Sequence, residues 1–156
     1  MGCLRLKINL LEPNKAEELR CKLKNIWDIN RPYWYPLFDC DRQDVIAFDY
    51  VDYIYDNFEK LENIRFLLRK HGVKNVYEFQ EDGTSNEIID FLDDEFWGSE
   101  PYLGGSECFF FDDNMDWIIY ESHEGTITFG GEWLVKELKS IWPDWKDNMG
   151  WDKKNK

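Results

Sequence analysis

Between residues 75 and 135 the chain has no lysine and no arginine, although 19 of them occur in its 156 residues. An even spread would place about seven there, so cations are excluded from the stretch and not simply scarce. The same 61 positions hold 16 Asp and Glu, a formal charge of −16 within a chain whose total is −13. The stretch thus lacks the positive face that phosphates require, which together with the net charge of −13 disfavours direct binding to DNA or RNA. Such a stretch suits a surface that repels anions or receives a cationic partner.

Other absences narrow the field further. No apolar run approaches the roughly 18 residues needed to cross a bilayer, and the N-terminus lacks the h-region of a signal peptide. The opening Met1-Gly2-Cys3 has the start of an acylation site, but Leu6 stands where that pattern wants Ser or Thr. The expectation is a cytoplasmic protein with no membrane partner. The four cysteines, Cys3, Cys21, Cys40 and Cys108, form no C-x-x-C pair, which favours reduced thiols over disulfides or zinc. Gly104-Gly105-Ser106 has no following Lys and no G-x-G-x-x-G fingerprint, so a phosphate-binding loop has no support. No cofactor is expected.

What is present is aromatic: 8 Trp, 8 Tyr and 11 Phe in a chain that is 43% hydrophobic. That content is too high for a disordered acidic polymer, and the length suits a single core. Residues 3–10 alternate Leu4, Leu6, Ile8 and Leu10 against polar positions, the period of a half-buried strand. Pro13 and a capping-box spacing from Asn14 to Glu17 open a helix running to about Asp28. Cations gather in this first quarter, at Arg5, Lys7, Lys15, Arg20, Lys22, Lys24 and Arg31. Residues 31–36 bracket three aromatics with prolines and read as an irregular connection.

Residues 45–55 fit a strand or a helix equally. From Asp56 a second cap leads into a helix with Phe58, Leu61, Ile64 and Leu68 in a stripe, closed by Arg69, Lys70, His71 and Gly72. A strand over residues 76–80 and a turn at Asp82-Gly83 follow. A third cap, Thr84 to Glu87, suggests a short helix with Ile88, Phe91, Leu92 and Phe96. Its negative end would carry Asp93, Asp94 and Glu95, which calls either for extended chain or for a nearby cation. After a glycine-rich loop over residues 97–106, three short apolar runs at 108–111, 117–122 and 126–129 make an antiparallel meander. A last helix places Leu134, Val135, Leu138, Ile141 and Trp142 on one face and stops at Pro143. The expected fold is α+β: a single domain over residues 1–148, with an antiparallel sheet ending in a three-strand meander, packed by three to four helices. Residues 149–156 read as a frayed basic tail.

Candidate chemistry is thin. Asp112, Asn114 and Asp116 match the first three ligand positions of an EF-hand loop. Trp117 then replaces the required glycine and His123 the closing glutamate, so an ordinary turn is expected and no metal. Ser122-His123-Glu124 holds the residue types of a hydrolytic triad, but neighbours on an extended chain point to opposite faces. His71 is accounted for by its helix C-terminus. No catalytic residue is assigned.

The last third also carries a resemblance. Residues 116–120, Ser122-His123-Glu124, residues 127–131 and Trp142-Pro143-Asp144-Trp145, with His71-Gly72-Val73 and Val76-Tyr77-Glu78 upstream, resemble an uncharacterised family of small bacterial proteins over about half the chain. The resemblance implies a small, acidic, cytosolic bacterial protein, similar in type to immunity proteins that neutralise secreted toxins. The expected function is therefore an acidic protein-binding module that blocks a basic, nuclease-type toxin by occupying its active site. Asp93, Asp94, Glu95, Asp112, Asp113, Asp116 and Glu124 would supply charge, and Trp97, Tyr102 and Trp117 the anchors. The alternatives are a hydrolase or metal-dependent enzyme centred on His123, and an acidic domain with a structural role.

Overall fold

Successive side chains of a strand point to opposite faces of its sheet, and in the central strands of this protein both faces are apolar. In the strand Cys108–Phe111, Cys108 and Phe110 join one core cluster and Phe109 and Phe111 the other. A sheet so built must be covered on both sides. The computed structural model, which describes residues 7–30, 34, 42–93, 107–122 and 125–150, shows that arrangement.

Seven strands form one antiparallel sheet: β1 (Lys7–Leu10), β2 (Val45–Asp49), β3 (Val76–Gln80), β4 (Ser85–Ile89), β5 (Cys108–Phe111), β6 (Ile118–Glu121) and β7 (Thr126–Gly130), in the order β1-β4-β3-β5-β6-β7-β2. Helix α1 (Pro13–Trp27) covers one face through Ala16, Leu19, Leu23 and Trp27. The other face packs against α2 (Phe58–Lys70), α3 (Glu132–Ile141) and a π-helical segment, Tyr50–Tyr55. The fold is α+β with the expected meander β5-β6-β7, and the cation-free stretch builds every strand from β3 to β7. Among the described residues no helix is long and apolar enough to cross a membrane.

Local differences from the sequence expectations have physical causes. The ambiguous residues 45–55 hold both candidates in series, β2 and then the π-helical segment. Helix α1 starts at Pro13 with Glu12 at its cap and no side-chain capping bond, so the Asn14–Glu17 box does not form. Proline at the first turn has no N–H to satisfy. Asn57, not Asp56, caps α2 by accepting from the Lys60 amide at 3.2 Å.

The short helix expected from Thr84 is instead β4, followed by a 3-10 turn, Phe91–Asp93. Pairing with β1 on one side and β3 on the other overrides a local helical spacing. At the end of this segment Arg69 donates to the Leu92 carbonyl at 2.8 Å; Asp94 and Glu95 lie outside the described residues. Ile141, expected on the buried face of α3, is exposed, while Leu134, Val135, Leu138 and Trp142 are buried. The chain also stays packed beyond Asn148. Met149 bridges Phe48, and the Gly150 amide donates to the Ala47 carbonyl at 2.7 Å, closing part of the outer edge of β2.

Candidate functional site

The acidic loop between β5 and β6 is held by its own turn bonds and by contacts from β3, α1 and the end of α2. Asp112 makes it a turn: its Oδ1 accepts the Asn114 amide at 3.1 Å and its carbonyl accepts the Met115 amide at 3.1 Å. Met115 takes the left-handed conformation (φ 57°). The chain then dives inward, with Met115 entering the α1-side core and Trp117 the opposite one. Asp113 accepts from the Tyr77 hydroxyl of β3 at 2.8 Å and lies 3.8 Å from the Lys15 ammonium of α1. Asp116 Oδ2 lies 2.8 Å from His71 Nε2 at the end of α2, and the His71 ring stacks on Trp133 of α3 at 3.7 Å.

These bonds alter what the carboxylates can do. Asp113 remains exposed and available to a partner, and Asp116 is half-buried. Asp112 is buried at 7% exposure, and that burial pushes its carboxyl above the ordinary range. A group with a raised folded-state pKa stabilises the fold in its neutral form, at acid pH, and this contribution is lost as pH rises through the raised value. Asp112→Asn keeps a side-chain oxygen for the Asn114 amide and removes the desolvated charge. It is expected to melt above the parent at neutral pH, with the advantage shrinking in mild acid. A variant that melts below the parent at neutral pH would contradict this.

The residues expected to bind a partner do not all converge. Asp112, Asp113 and Asp116 share the β5–β6 loop. The β6–β7 turn, where the Gly125 amide donates to the Ser122 carbonyl, lies at the opposite end of the sheet. Asp93 closes the 3-10 turn after β4. Asp94, Glu95, Trp97, Tyr102, His123 and Glu124 lie outside the described residues. Trp117 needs correction: it is 0% exposed, packed in the core beneath α2 and α3, and the folded protein cannot offer it as an anchor. Asp112 is corrected likewise, from surface charge to buried turn former.

Sequence reasoning missed a second acidic group, at the opposite end of the sheet. Glu78 and Glu121 are each 2% exposed and flank Cys108. Tyr50 donates to Glu121 at 2.8 Å, and Asn86 and Gln80 donate to Glu78 at 3.1 and 3.3 Å. Burial, together with these two carboxylates, pushes the Cys108 thiol well up, which makes it an inert thiol. Nearby, buried Glu107 accepts from Tyr120. Among the described residues, four acids of the cation-free stretch, Glu78, Glu107, Asp112 and Glu121, are thus interior groups. The signal was in the strand composition: Glu78 stands among Val76, Tyr77 and Phe79, and Glu121 follows Ile118, Ile119 and Tyr120, runs that are apolar on both faces.

The other missed feature is the His71–Asp116 pair, 45 residues apart in sequence. Among the described residues no nucleophilic side chain hydrogen-bonds to His71, so the pair acts as a clasp between α2 and the loop. No group of three or more His, Cys, Asp or Glu among the described residues is arranged to hold a metal ion. No family model, curated protein or solved structure matches the chain.

Proposed function

We propose that the protein is an acidic binding module for a basic protein, of the type that neutralises a nucleic-acid-cleaving toxin by covering its phosphate-binding site. The observation that carries this reading is the cation-free stretch itself, which forms five adjacent strands and their connections in one sheet. After the buried acids are set aside, Glu81, Asp82, Asp90, Asp113 and Glu132 remain exposed within it. A basic partner meets an attractive field from this body before contact, which raises the encounter rate. Exposed Phe58 and Phe66, on the outer side of α2, offer apolar contact that charge alone does not supply.

Neutralising Asp90, Asp113 and Glu132 to their amides tests it. None of the three is buried, and Asn tolerates the positive φ of 53° at Asp90. The triple variant is expected to fold as the parent does and to associate with a basic partner more slowly, with little change in dissociation. An unchanged association rate would remove the electrostatic basis of the proposal.

A further inference from the structure

Toward its C-terminal end α1 stands off the sheet and leaves a cavity of about 420 Å³. That volume falls in the range of small-molecule sites. Its floor is apolar and partly aromatic, made by Leu23 and Ile29 from α1 and its exit and by Phe79 and Phe109 from β3 and β5. Charge of both signs borders this floor: Arg20 and Lys24 one helical turn apart, against Glu17 and Glu81.

Arg20 is fixed in place. Its Nη2 donates to the Gly83 carbonyl at 3.1 Å and to Ser85 Oγ at 2.9 Å, its Nη1 lies 3.8 Å from Glu17 Oε1, and its guanidinium lies 5.3 Å from the centre of the Phe79 ring, which among the described residues leaves Lys24 and Glu81 as the unpaired charges of the rim. A planar cation held this way loses little further freedom when it meets a carboxylate. Lys24 has no ion-pair partner among the described residues. A simple anion would be opposed by the net charge of −13 and by the two rim carboxylates, and a simple cation by Arg20 and Lys24. A ligand that carries both charges and no net charge escapes both penalties.

We propose that this cavity binds an aromatic zwitterion of amino-acid size, its ring over Phe79 and Phe109, its carboxylate toward Arg20 and Lys24, and its ammonium toward Glu81. The site is separate from the β5–β6 loop, at the other end of the sheet, and does not depend on the proposed partner. Cys21, exposed on the cavity wall, reports occupancy directly.

The test titrates the full chain with L-phenylalanine, following binding by calorimetry and the alkylation of Cys21 by mass mapping of its peptide. Saturating L-phenylalanine is expected to slow alkylation of Cys21 about fivefold or more. Phenylpropanoate, lacking the ammonium, and phenethylamine, lacking the carboxylate, should each bind about tenfold more weakly. Lys24→Gln should weaken binding about fivefold and leave the melting temperature unchanged, whereas Arg20→Gln also loosens the Gly83–Ser85 turn. Unprotected Cys21 at millimolar ligand, either analogue binding as tightly as L-phenylalanine, or a Lys24→Gln variant of parental affinity would overturn the proposal.

Discussion

Leu138→Asp is expected to abolish the cooperative melt of the protein. Leu138 is fully buried on the inner side of α3, in the same cluster as Phe48, Phe129 and Trp142. An unpaired carboxylate there loses its hydration without gaining a partner, and the leucine contacts are lost as well. The combined cost, about 4 kcal/mol or more, is a large share of the stability of a domain this size. Exposed Ile141, at the C-terminal end of the same helix, serves as the control, since Ile141→Lys suits the negative helix end and should cost little. Thermal melts of both variants check the assignment, and a Leu138→Asp protein that melts with the parent would show that α3 packs through another face.

Gly131→Ala is expected to be nearly as damaging, although it adds only a methyl group. Gly131 has φ of 120°, a conformation that side-chain-bearing residues rarely adopt, and a Cβ there would stand 2.4 Å from the Asp116 carbonyl oxygen. Backbone is what it meets, so no rotamer change relieves the clash. Strain and displacement together cost roughly 3–5 kcal/mol. Because the atom displaced belongs to Asp116, the effect reaches the His71 clasp and the acidic loop. Amide exchange in the variant should therefore quicken at Met115 and Asp116 before it does in β3 or β4. Uniform destabilisation without this local signature would argue against close packing of α3 on the loop.

The elements legible in the sequence are those whose local pattern and tertiary environment agree. Leu61, Ile64 and Leu68 lie on the buried face of α2, while Phe58, expected in the same stripe, is exposed; the short apolar runs of the meander are buried throughout, on both faces of the sheet. Residues 84–89 misled because Thr84 and Glu87 have a helix-cap spacing, while the hydrogen bonds that fix β4 come from its hairpin partner β3 and from β1, distant in the chain. The site was less legible than the fold. Counting charges located the acidic stretch but could not separate exposed Asp113 from buried Glu121, since both contribute one charge to the sum. Trp117 read as an anchor because of its acidic neighbours, and only the inward turn after Met115 shows it to be core. His71 and Asp116 meet through the packing of α2 against the sheet, which no spacing records.

The most direct test of the central claim is the association rate of the intact protein with the partner captured from its own host, measured across a range of ionic strength. Surface fields between proteins are screened over about 10 Å at moderate salt. An acidic module steered to a basic partner should therefore show an on-rate that falls steeply as salt rises, with an off-rate that changes little, and the partner should be basic. An acidic partner, or an on-rate indifferent to salt, would contradict the account and leave the cation-free stretch as a solubility feature of the surface.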